Sequence, residues 1–157
     1  MDILTDREIQ ELIAEPKQLP TDFGLVALKT RRGSRFAGID FATTAGNKYF
    51  IFLRQSLYNP LAFSAGLGYH LSTRDFRLKR YNGKFHEHTN PLEHETFYDF
   101  HIHMATERYQ LRGNREDCYA ERAGQRFGSL KDAFYCLMDD CNVVLPGPPE
   151  QRSLFRT

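Results

Sequence analysis

Asn82-Gly83, set between two short runs of strand-like character, is the feature that most constrains what this chain can fold into. A two-residue type I′ loop needs positive φ at both central residues, which Asn and Gly tolerate best. Read this way, Tyr81 faces Lys84, Arg80 faces Phe85, Lys79 faces His86, Leu78 faces Glu87 and Arg77 faces His88. Side chains then alternate between the two faces of the hairpin. One face carries Phe76, Leu78, Arg80, Phe85 and Glu87 and is expected to lie toward the core. The other carries Arg77, Lys79, Tyr81, Lys84, His86 and His88.

A second strand, Phe97 to Met104, repeats the alternation, with Tyr98, Phe100, Ile102 and Met104 on one side and Phe97, Asp99, His101 and His103 on the other. Sequential strands are usually neighbours. Laying this strand beside residues 84–88 puts His86, His88, His101 and His103 on one sheet face. His94, in the loop NPLEHET, is expected to be incidental.

Three readings of that face compete. Two H-x-H pairs on neighbouring strands can converge on one ion, because imidazole is a ligand for zinc or non-haem iron. The expected pairing of Lys79 with His86 and Arg77 with His88 opposes a divalent cation, so no metal and no other cofactor is expected. In the second reading Arg77, Lys79, Lys84 and Arg108 bind phosphate, and His101 and His86 act as base and acid, with His88 and His103 as alternates. Tyr81 and Tyr109 would stack on bases. RNA suits this chemistry, since its 2′-hydroxyl can serve as the internal nucleophile. The third reading is a solvated sheet face whose cross-strand pairs each contribute only a few tenths of a kcal/mol.

The 157 residues carry a net charge of +1, so basic character must be local rather than global. That length suits one domain, expected over residues 1–145 and followed by a Pro-rich flexible tail over 146–157. Cys118, Cys136 and Cys141 form no C-x-x-C and no disulfide framework, which points to a reducing, cytoplasmic setting. The start, MDILTDRE, lacks the basic and apolar regions of a leader, and no apolar run reaches membrane-spanning length. No membrane association is expected.

Thr5-Asp6-Arg7-Glu8 fits a capping box, with Leu4 and Ile9 as a hydrophobic staple, so a helix is expected from about residue 6 until Pro16. Leu25 to Thr30, Arg35 to Thr44 and Lys48 to Leu53 read as an antiparallel meander turned at Arg32-Gly33-Ser34 and Ala45-Gly46-Asn47. Phe63 to Leu71 reads as a strand in which Gly66 and Gly68 mark a bulge or a close backbone approach. Residues 105–110 are expected to extend the second histidine strand, and Cys118 to Arg122 to form a short last strand. Leu130, Ala133, Phe134, Leu137, Met138 and Cys141 recur at helical spacing behind Ser129 as N-cap. The expected fold is α+β: a curved antiparallel sheet of about six to eight strands with an N-terminal helix and a C-terminal helix packed on it.

Over residues 76–141, through RYNGKFHEHTNPLEHE and FHIHMATERY, the chain resembles a family of small, mainly uncharacterised bacterial proteins. The RYNG segment, the histidine-rich stretch and the closing helix are also loosely similar to toxin components of toxin–antitoxin or defence loci. That resemblance implies a ribonuclease, in agreement with the phosphate-binding reading, and the expected function is a metal-independent endoribonuclease. The alternatives are a module that binds a cognate protein, such as an antitoxin, inhibitor or assembly factor, and a cupin-like metal-dependent enzyme using the same histidines.

Overall fold

A computed structural model describes residues 3–20 and 28–147. In chain order it contains α1 (Asp6–Ala14), β1 (Lys17–Gln18), β2 (Lys29–Arg31), β3 (Ser34–Ala42), β4 (Lys48–Ser56), β5 (Phe63–His70) and β6 (Asp75–Asn82). There follow β7 (His88–Asn90), β8 (Glu95–Phe97), β9 (His101–Met104), α2 (Glu107–Leu111), β10 (Ala120–Arg122), α3 (Leu130–Asp140) and β11 (Val143–Val144). The expected tail lies outside the described residues from residue 148 on, as does the start of the strand expected at Leu25. No helix among the described residues is long and apolar enough to cross a membrane.

The architecture is α+β, with a seven-stranded antiparallel sheet in the order β10-β9-β6-β5-β4-β3-β2. The sheet stays open and does not close into a barrel of the cupin kind. β1 and β11 pair in parallel, and β7 and β8 form a separate hairpin. The N-terminal helix α1 and the C-terminal helix α3 sit where the sequence places them, for local reasons. The Thr5 side chain accepts from Glu8 N and the Glu8 side chain returns the bond, satisfying two donors that a helix start leaves orphaned. Ser129 accepts from Asp132 N at the start of α3. The apolar stripe of α3 lies against β4, β5 and β6, where Leu53, Ala65, Leu67, Tyr81 and Ile102 join it in one core. Burial of each large apolar side chain there contributes about 1.5–3 kcal/mol.

Two features overturn the expected hairpin. β6 runs through Asn82, pairing with β5 on one side and β9 on the other, and residues 84–87 form a loop. Gly83 does not take a positive φ. Its N–H donates to the Phe63 carbonyl over 2.9 Å, and a Cβ on it would meet the Leu61 carbonyl oxygen at 1.8 Å. Gly83 is therefore required by close backbone contact, not by a turn. The pairs Lys79 with His86 and Arg77 with His88 do not form.

The second feature is a bulge between Leu67 and Gly68 in the β5–β6 ladder, at the glycines where the sequence points to one. An extra residue on one strand shifts the alternation of everything beyond it. Phe76 and Leu78 face the core on one side of the bulge, and Tyr81 faces it on the other. Arg80 and Asn82 accordingly turn to the opposite face, and Lys79 turns to the α3 side, where its Nζ lies 4.0 Å from Asp140 Oδ2. Phe85 and Glu87, expected toward the core, lie in the exposed loop.

Candidate metal centre

The face of the sheet opposite α3 is laid out by strand register. Arg54, Ser64, Asn82 and His101 form one cross-strand row, and Phe52, Gly66, Arg80 and His103 form the next. The β7–β8 hairpin folds over the end of this face and delivers His88. Ring centroids of His88 and His101 are 5.3 Å apart, those of His88 and His103 4.8 Å, and those of His101 and His103 5.0 Å. His86 stands at the exposed edge, its ring 6.4 Å from that of His101. The four histidines do share a site, but His86 and His88 reach it from a loop and a separate hairpin, not from a strand beside β9.

The hydrogen bonds decide which nitrogen of each ring is free. His101 Nδ1 lies 2.8 Å from the Asp99 carbonyl oxygen and His103 Nδ1 lies 2.8 Å from the Asp117 carbonyl oxygen. A carbonyl can only accept, so both Nδ1 atoms carry the proton and both Nε2 atoms present lone pairs. Asn90 is held in one orientation because its Nδ2 donates to the Ala120 carbonyl over 2.8 Å while its Oδ1 accepts from Ala120 N over 2.9 Å. Its Oδ1 must then accept from His88 Nε2, 2.7 Å away, which leaves His88 Nδ1 with the lone pair. One ring nitrogen from each of His88, His101 and His103 lies within 4.8 Å of the other two.

Burial keeps two of these rings neutral. His101 is pushed down to about 4, chiefly by desolvation, and His103 to about 2 by desolvation and the nearby Arg80 charge. His101 Nε2 is buried with no hydrogen-bond partner, an arrangement that forfeits free energy unless something else satisfies the atom. Three clustered imidazoles, each with one nitrogen left as a lone pair and the other anchored to an oxygen acceptor, match what a divalent ion needs from its ligands and their outer partners. The expected charge objection also changes. Lys79 is on the other face, and Arg80, which takes its place beside His103, is paired through Nε with Asp117 Oδ2 at 2.5 Å. Asp117 Oδ1 is also 2.9 Å from Arg115 Nε.

A cleft of about 450 Å³ opens beside His88 and His103 and is lined by these two, His86, Arg54, Arg77 and Phe52, among others. Other residues expected in the site are elsewhere. Lys84 Nζ sits 5.3 Å from the Tyr98 ring centroid. Residues 107–111 form α2 rather than a strand extension, because Thr106 caps it by accepting from Tyr109 N. Arg108 there is paired with Glu93 at 2.5 Å and stacked 4.7 Å over the Tyr119 ring. Tyr81 and Tyr109 are both fully buried, with hydroxyls bonded to Asp140 and Glu93, and neither offers a face to a base.

Sequence reasoning missed Asn90, Asp117, Arg80, Asn82 and Arg115. Only the last three had a usable signal: Gly66 and Gly68 announce the bulge that reverses Arg80 and Asn82, and Arg115 follows the Gly113-Asn114 turn that leads into β10. Asn90 and Asp117 act through backbone groups distant in sequence.

No protein-family model matches the chain, nor does any curated protein or solved structure.

Proposed function

We propose that this protein is a metal-dependent enzyme whose centre is a divalent transition-metal ion held by His88, His101 and His103. The observation that carries the reading is the clustering of three imidazoles with fixed tautomers: one ring nitrogen of each lies within 4.8 Å of the other two, and each ring donates its N–H to an oxygen. Imidazole-only coordination favours zinc, iron, copper or nickel over magnesium or calcium, and three protein ligands leave further positions open, as catalytic sites do. A bound ion of this kind would polarise a substrate oxygen or lower the pKa of water.

The chain's own residues supply the rest. His86 stands exposed at the cleft edge, next to the trio and outside it, where it can exchange a proton with a substrate. His101 and His103 are better suited to binding a metal than to acid–base catalysis, because their Nδ1 atoms are committed to carbonyls and burial keeps them neutral near pH 7.

The test is metal analysis of untagged protein, followed by titration of the chelator-treated protein with zinc and with cobalt, whose visible absorption reports coordination. One equivalent should bind, and His103→Ala should weaken it by at least 100-fold. Binding no tighter than millimolar, or an unchanged affinity in the variant, rules the centre out.

A further inference from the structure

The cleft in front of the histidines has a charge pattern of its own. Four guanidiniums, those of Arg54, Arg77, Arg80 and Arg115, line it, and no Asp or Glu does. Arg80 and Arg115 share the single buried carboxylate of Asp117. The guanidiniums of Arg54 and Arg77 have no ion-pair or hydrogen-bond partner among the described residues. In a chain with a net charge of only +1, this is a concentrated positive site that the one carboxylate of Asp117 only partly compensates. Guanidinium forks match phosphate and carboxylate oxygens alike, but several of them together suit the higher charge of a phosphoryl group.

Beside the arginines the cleft also carries aromatic rings. Gly66 lacks a side chain because the Phe52 ring lies across it, so close that a Cβ there would come within 2.2 Å of the ring. Phe85, 40% exposed in the loop before His86, lines the same cleft. In the same cross-strand row as Arg54, Ser64 Oγ donates to Asn82 Oδ1 over 2.7 Å, which leaves the Asn82 amide hydrogens available. Aromatic rings and unpaired guanidiniums lining one cleft are the groups that hold a nucleobase and its phosphate together.

We infer that the cleft binds a nucleotide phosphate ester, its phosphoryl group held by the cleft's guanidiniums, Arg54 and Arg77 among them, and its base against Phe52 and Phe85. This rests on the proposed metal centre only for what happens to the ligand after it binds. Binding itself depends on residues outside the trio.

The experiment is competition binding on the full chain, in metal-free and zinc-loaded forms, with adenosine monophosphate, inorganic phosphate and acetate as probes. Adenosine monophosphate should bind at least tenfold more tightly than inorganic phosphate, and acetate should not compete. Arg54→Ala and Arg77→Ala should each weaken adenosine monophosphate at least tenfold with zinc stoichiometry and thermal stability unchanged, and Phe52→Leu should remove the preference for the nucleotide over phosphate. Acetate competing as well as phosphate, equal affinity for phosphate and nucleotide, or undiminished binding by both arginine variants would overturn the inference. Zinc binding without nucleotide binding defeats this inference alone, and nucleotide binding without zinc defeats the metal centre alone.

Discussion

His88 donates its Nε2–H to Asn90 Oδ1 over 2.7 Å, and the Asn90 side chain is clamped in turn to both backbone groups of Ala120. The separate β7–β8 hairpin is thereby locked onto β10 and the ring it carries is held in one tautomer. Asn90→Ala should weaken zinc binding about 10–100-fold, the usual effect of removing an outer partner of a histidine ligand. It should also lower stability by about 1–3 kcal/mol, because the Ala120 N–H and carbonyl would be left buried without partners. Chelator competition and urea melts read the two effects separately.

Gly83 provides a second test, of the fold. Close contact with the Leu61 carbonyl, not a left-handed conformation, excludes a side chain there. Gly83→Asn should therefore be as damaging as Gly83→Ala, each lowering stability by about 1–3 kcal/mol through forced backbone movement. At a turn glycine with positive φ, Asn would be the mild replacement. Denaturant midpoints for the two variants distinguish the cases.

At the far end of the sheet, His70 lies between two acids, with Nε2 3.0 Å from Asp40 Oδ1 and Nδ1 2.7 Å from Asp75 Oδ1. Carboxylates only accept, so both nitrogens are protonated when both bonds form, and the hydrogen bond to Asp40 leads in raising the pKa of the ring above its ordinary 6.5. The stabilising contribution is complete below pH 6.5 and is lost as pH rises through the folded-state value. The groups are substantially exposed, so it amounts to no more than a few tenths of a kcal/mol. Ring NMR should show His70 titrating above 6.5, and the stability difference from His70→Ala should be larger at pH 6 than at pH 8.

What the sequence showed and what it hid follow from the range of the forces involved. The Thr5–Glu8 capping box and the α3 stripe are local, and both helices sit where those residues place them. Asn82-Gly83 carried an equally local signal that a long-range one overrode: two full ladders, to β5 and to β9, hold Asn82 in the sheet. At residues 107–111 the missed signal was itself local: Thr106 supplies a cap for α2 that period-two reading ignores. The clustering of the histidines was legible because five of six fall in one stretch. Two of their tautomers were not, since they depend on tertiary contacts: the Asp117 carbonyl for His103, and for His88 an Asn90 side chain that Ala120 orients.

His101 separates a structural histidine from a ligand. It is 1% exposed, and its Nε2 has no partner. If the ring only filled space, its replacement by a smaller apolar group would leave a cavity and lower stability, with zinc making no difference to either protein. If it is a ligand, His101→Leu removes an unsatisfied buried nitrogen with little change in volume, so the metal-free variant should lie within about 1 kcal/mol of the metal-free parent. The parent should gain about 2.7 kcal/mol at a free zinc concentration 100 times its dissociation constant, by mass action alone. The variant should gain almost nothing. Melting both proteins in chelator and in buffered zinc gives the four values needed, and an equal zinc response in the two would remove His101 from the centre.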